Sequence, residues 1–159
     1  MRAAQISLTN YFVSELQFRS NPAFEPQKPS EITIEDLDVK KDEKRSAEDP
    51  RKWEVTLRVK LIERPARNLP CNVALEIRGL VEVDQTVKDE NIKRFVEING
   101  ASLVFSAARE IVRAITSRGP NGSILLPTVT FWQPKPEPPT TTESPRADEP
   151  KASAPAVAT

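Results

Sequence analysis

From Trp53 to Leu61 the chain alternates apolar and polar side chains without a break: Trp53, Val55, Leu57, Val59 and Leu61 against Glu54, Thr56, Arg58 and Lys60. A period of two is the repeat of a β-strand. One greasy face and one charged face require a sheet covered on one side and wet on the other, which is the antiparallel case. Residues 53–62 therefore predict a strand at the heart of such a sheet, and the remaining segments sort around it.

Residues 8–18 carry Tyr11, Phe12, Val13, Leu16 and Phe18, a strand-rich composition. Asn21-Pro22, Pro26 and Pro29 mark the loop that follows. Residues 31–40 alternate Ile32 and Ile34, then Leu37 and Val39, and the slip of phase at Glu35-Asp36 predicts a bulge. The charged residues 41–51 read as a loop or long hairpin connection, and Pro65 to Pro70 as a turn. Residues 72–83 form a fourth strand, with Val73, Leu75 and Ile77 against Ala74, Glu76 and Arg78. Gly79 is expected to bend it or to permit a bulge.

The period then changes to that of a helix. Residues 88–98 place Ile92, Phe95 and Val96 on one side, and Asn99-Gly100 is expected to end this short helix. Residues 101–118 predict a long helix, stopped by Arg118-Gly119-Pro120 with Gly119 at the position after the cap. Residues 123–132 form an extended apolar arm, and Pro127 bars it from a central strand. The fold class is α+β: a four-stranded antiparallel sheet followed by a short and a long helix, in one domain over residues 5–132. From Gln133 onward, prolines, Thr, Ser and Ala leave too little to bury to offset ordering entropy. Residues 133–159 therefore read as a disordered proline-rich tail, either solubilising or docking a partner.

The inventory of reactive groups is thin. There is no histidine, one cysteine (Cys71) and four glycines that form no phosphate-binding loop. The commonest general base and metal ligand are missing, so the expectation is no enzyme, no metal and no cofactor. Arg109-Glu110 reads as a catalytic pair, or else as an ion pair on a helix surface or an interface contact. Acids and bases balance at 23 each. No basic stripe points to nucleic acid. No apolar run approaches the roughly 18 residues of a membrane span, so no membrane insertion is expected. The N-terminal residues lack a signal-like apolar stretch, and with the single thiol this predicts a cytoplasmic protein.

The apolar inventory exceeds what one small core uses. Phe105, Ile111 and Val112 lie off the Val104-Ala108-Ile115 line of the long helix, which calls for a second packing surface. That surface is a subunit interface or groove, or else it is covered by the arm. Tyr11 and Phe12 are adjacent, so one faces away from the core; with Phe18 and Phe24 they line a groove or join the core.

The segment Ala101-Ser102-Leu103-Val104-Phe105-Ser106-Ala107-Ala108-Arg109-Glu110, with Arg118-Gly119 and then Leu125-Leu126-Pro127-Thr128-Val129-Thr130-Phe131, resembles the signature region of the SecB family of protein-export chaperones. The likeness extends over residues 6–132. It implies a dimer of dimers, a homotetramer, with the long helices between the sheets. It implies ATP-independent binding of unfolded polypeptide clients in apolar grooves, delivery to the motor SecA in export members, and protection of an antitoxin in others. Tyr11, Phe12, Phe18, Phe105 and Trp132 are then candidates for the client-binding groove. Glu15 and Glu76 match acidic positions that contact SecA. Arg19 stands where the family has an acid, Ala74 where it has a larger apolar residue, and Ser106 where it has proline. Those departures put SecA docking in doubt more than client binding.

Overall fold

The computed structural model describes residues 4–61, 64 and 67–132. The proline-rich segment and part of the Pro65–Pro70 turn lie outside the described residues. Four strands form one sheet in the order β1-β4-β3-β2: β1 (Ile6–Ser20), β2 (Leu37–Arg45), β3 (Lys52–Leu61) and β4 (Cys71–Val83). Every pairing is antiparallel. The alternation read from the sequence sets the faces: Val55, Leu57 and Val59 of β3 and Val73, Leu75, Ile77, Val81 and Val83 of β4 are all buried on one side.

Three expectations are corrected here. β2 runs on through Lys41–Arg45 rather than ending at Lys40, so the charged run is strand and only the residues between Arg45 and Lys52 form the turn. The slip at Glu35-Asp36 is a single 3-10 turn (Ile34–Asp36) ahead of the strand, held because the Asp36 carboxylate accepts from the Thr33 N–H at 2.9 Å. Asn99-Gly100 does not stop a helix. A 3-10 turn (Asp89–Asn91), α1 (Ile92–Phe95), a π turn (Val96–Gly100) and α2 (Ala101–Thr116) follow one another directly, with Gly100 itself helical.

The glycines act by close approach. A Cβ on Gly79 would lie 2.3 Å from Val104 Cγ2 and 2.9 Å from Leu8 Cδ1, so α2 descends onto β4 only because that position is bare. The bulge expected at Gly79 is absent from the β3–β4 register, where Gly79 pairs with Val55; the register shifts fall on β1 instead. Gly119 is not left-handed. It gives room to the Phe18 ring, 2.9 Å from where its Cβ would stand, and the left-handed residue is Gly122 at φ 81°. After α2 the chain doubles back. Thr116 Oγ1 donates to Val112 O at 2.8 Å and accepts from Ile124 N at 3.0 Å, which starts the arm along the helix. Ile124 and Leu126 are buried.

Candidate functional site

The side chains that seal α2 to the sheet are Ala101, Val104, Phe105, Ala108, Val112 and Thr116. At 100° per residue they occupy one broad face. One flank of that face lies toward β1, since Val104 meets Leu8 across Gly79 and a Cβ on Gly100 would lie 3.6 Å from Ile6. The opposite flank carries the arm. Arg109 Nε donates to Leu126 O at 2.8 Å, and Phe105 meets Phe131 edge-on with ring centroids 6.0 Å apart. The arm thus takes up part of the apolar surplus. On the β1 flank Leu103, Ala107 and Ile111 stay half-buried.

β1 is an edge strand with two register shifts, between Leu8 and Asn10 and between Val13 and Glu15. Each admits one extra residue, Thr9 and Ser14, and each reverses which side chains face the helix. Unbroken alternation from Leu8 would send Phe12 inward. Instead Tyr11 pairs with Gly79 and Val13 with Ile77 on the helix side, while Phe12 pairs with Arg78 on the outer side. The second shift restores the phase, and Leu16 and Phe18 return inward opposite Leu75 and Val73. The hydroxyls fit the interruptions: Thr9 Oγ1 donates to Leu80 O at 3.0 Å, and Ser14 Oγ donates to Glu76 Oε1 at 2.7 Å.

Of the expected groove residues, Tyr11 (46% exposed), Phe12 (44%), Phe18 (37%) and Trp132 (58%) lie on the surface, and Phe105 (3%) lies in the core beneath Phe131. The first four do not converge. Tyr11 and Phe18 share the helix side of β1, Phe12 faces the opposite way, and Trp132 ends the arm on the other flank of α2. Val13, Leu80 and Leu125 are also large, apolar and exposed. Sequence reading missed Val13 because the two bulges that turn it leave only a Thr and a Ser as their trace.

The outer face of the sheet is a lattice of charges. Glu76 accepts from Ser14, from Arg58 Nε at 2.6 Å and from Arg78 at 3.3 Å. Those bonds, Ser14's first, hold its carboxyl below the usual range. Glu15 accepts from Gln17 Nε2 at 2.7 Å. The two carboxylates pair directly across β1 and β4.

Asp36 is fully buried at the head of β2. Burial alone would raise its pKa, but hydrogen bonds from the Thr33 N–H and hydroxyl and from Arg67 outweigh that and lower it. Arg67 also donates to Glu31 O, and Arg64 to Glu35 O, so both arginines clasp this turn. Cys71 is the first residue of β4 and buried, and burial pushes its thiol up to about 11, far from a reactive thiolate. Arg109 and Glu110 point apart: the first serves the arm, the second lies 4.0 Å from Arg113. Among the described residues no cluster of ligating side chains suits a metal ion, and no helix is long and apolar enough to cross a membrane.

Among solved structures, the fold is similar to a SecB-like chaperone of Mycobacterium tuberculosis in complex with a ChAD peptide from an antitoxin. The TM-score is 0.54 at 13% identity, covering 79% of this chain and 88% of that one. It is also aligned with a protein of unknown function from Streptococcus agalactiae, with TM-score 0.43, 11% identity, and 79% and 99% of the two chains covered. No curated protein matches the sequence. The family model described as preprotein translocase subunit SecB matches residues 1–133, the whole of the sheet, the helices and the arm, and the chain belongs to the SecB family.

Proposed function

We propose that this chain is an ATP-independent chaperone that holds unfolded polypeptides in a translocation-competent state in the cytoplasm, acting by binding rather than by catalysis. The observation that carries this reading is the run Tyr11-Phe12-Val13, each at least 40% exposed, on an edge strand. A non-native chain offers apolar side chains and unpaired backbone, and an apolar strand edge can receive both. Tyr11, Phe12 and Phe18 on β1 and Trp132 on the arm are the proposed client contacts, with Phe105 supporting the arm from below. The half-buried stripe Leu103, Ala107 and Ile111 is the proposed subunit face of a tetramer. Several weak sites on one oligomer raise avidity through effective concentration. The test is aggregation of a chemically denatured protein diluted into buffer without ATP. Suppression at near-stoichiometric chaperone is expected, and unaltered aggregation would defeat the proposal.

A second reading, a chaperone dedicated to one partner such as an antitoxin, draws on the outer sheet face. Glu76 is engaged by Ser14, Arg58 and Arg78, and Arg19 extends from the same face of β1. A cationic dock on a translocation motor meets less free negative charge there. Titrating SecA against the chaperone separates the two: saturable binding supports export, and its absence together with stabilisation of a co-expressed antitoxin supports the dedicated role.

A further inference from the structure

Toward one end of the outer face of the sheet, Gln17 of β1, Ala74 of β4 and Lys60 of β3 stand in one row, and Arg19 stands opposite Asn72 in the next. Ala74 is too short to fill its place between two long neighbours. The gap belongs to a recess of about 670 Å³ whose lining includes Gln17, Arg19, Lys60, Asn72 and Ala74, and its charged groups are Arg19 and Lys60, both cations. Both side chains are exposed. With strands about 4.8 Å apart and a rise of about 3.4 Å per residue, their Cα atoms stand roughly 12 Å apart, so the two long side chains can converge over the alanine.

The pattern of ion pairs singles these two out. Every other cation on the outer face of β1, β3 and β4 has a carboxylate: Lys52 has Asp49 at 3.6 Å, Arg58 has Glu76 at 2.6 Å, and Arg78 has Glu76 at 3.3 Å and Glu54 at 3.9 Å. Asp38, across from Lys60 on β2, lies 3.8 Å from Lys40 instead. Among the described residues, Arg19 and Lys60 have no ion-pair partner on this face. We propose that the recess docks an acidic segment of a partner protein, an extended stretch with carboxylates on alternate residues. Same-side carboxylates on such a stretch lie about 7 Å apart, within the span of the two cations, and the guanidinium of Arg19 can hold one of them in two parallel hydrogen bonds. The bare floor at Ala74 gives the segment's backbone room to approach. A nucleic-acid strand fits less well, because its continuous phosphates would run onto Glu15 and Glu76, which line the smaller recess adjoining over Ala74.

The test is fluorescence anisotropy of the full chain with a dye-labelled dodecapeptide of alternating Glu and Ser. This probe has no apolar side chain, so docking here and the holding of unfolded chains fail separately. Saturable binding is expected, about tenfold tighter than that of the Gln-Ser peptide and weakened as salt rises. Equal binding of the two peptides overturns the proposal. Arg19→Gln/Lys60→Gln is expected to lose about tenfold in affinity, and Arg19→Glu/Lys60→Glu to prefer the Lys-Ser peptide. Lys88→Glu/Lys93→Glu makes the same change of net charge away from the recess, and an equal loss from it would overturn the site. Ala74→Phe fills the floor with every charge in place. It is expected to weaken binding several-fold, and unchanged affinity would mean that the recess is not where the segment lies. A single-stranded oligothymidylate that competes as well as the unlabelled peptide would replace the acidic segment with phosphate as the ligand.

Discussion

β1 and β2 are the two free edges of one sheet, and they manage exposure in opposite ways. β1 shows water three consecutive apolar side chains and twists through two bulges. β2 shows six consecutive charges from Lys40 to Arg45, three of them (Lys41, Glu43 and Arg45) at core-side positions opposite Leu57, Val55 and Trp53. Edges are usually blunted by charge, as β2 is; an edge left apolar over this length marks a place where another chain is meant to lie. The difference gives the sheet one apolar edge, β1, and one charged edge, β2. It also assigns the two edges different supports. β1 depends on α2 descending onto Gly79, and β2 depends on the turn held by Asp36.

The strongest way to break the comparison is to lift α2 from the β1 side. Gly79→Ala would force a methyl to 2.3 Å from Val104 Cγ2, in a packed layer that cannot absorb it. A loss of about 3 kcal/mol is expected in urea unfolding. Gly79→Ala/Val104→Ala is expected to recover part of that loss, and no recovery would assign the defect to the strand rather than to the contact.

At the opposite edge, Asp36→Ala is expected to cost about 2 kcal/mol, the scale of hydrogen bonds to a charged group, leaving the Thr33 N–H without its acceptor. The sign of the pH dependence follows from the lowered pKa. The unfolded carboxyl titrates near about 3.9, so the contribution is complete above that value and is lost as pH falls through the lower folded pKa. Parent and variant are expected to converge in unfolding free energy under strong acid. A gap that stayed constant down to the acid transition would mean that the charge is not what Asp36 contributes.

How much of this was legible beforehand differs between the two edges as well. The central strands were plain because both neighbours bury them, and burial on one face writes itself as alternation: Val55 to Leu61 needed no tertiary knowledge. α2 and the arm were legible for the same reason, through their apolar spacing. β2 was cut short because Lys41 to Arg45 carry no apolar signal; their strand conformation is imposed by pairing with β3, a tertiary effect that outweighs local composition. Asn99-Gly100 misled because glycine was read as a helix stop when it serves close approach to Val55 and Ile6. The candidate site was half legible. Adjacent aromatics announced that one must face outward, but which one depended on bulges at Thr9 and Ser14. Phe105 lies beneath Phe131 because a second layer, the arm, covers a helix flank that the sheet alone leaves open.

The smallest expected effect on stability gives the sharpest reading of β1. Tyr11→Ser and Phe12→Ser each alter a side chain nearly half exposed, so each is expected to move unfolding by no more than about 0.5 kcal/mol. Their functional consequences should part, because the bulge turns Tyr11 to the helix side and Phe12 to the outer side of the same strand. A client lying between β1 and the flank of α2 touches Tyr11 alone, so Tyr11→Ser is expected to lower holding capacity several-fold while Phe12→Ser leaves it near the parent. The aggregation assay at fixed chaperone ratio reads this directly. Equal losses would mean that clients wrap the edge and use both faces. A loss confined to Phe12→Ser would move the client site to the charged outer face, beside Arg78 and Leu80, where apolar grip is scarce and electrostatics would have to carry recognition.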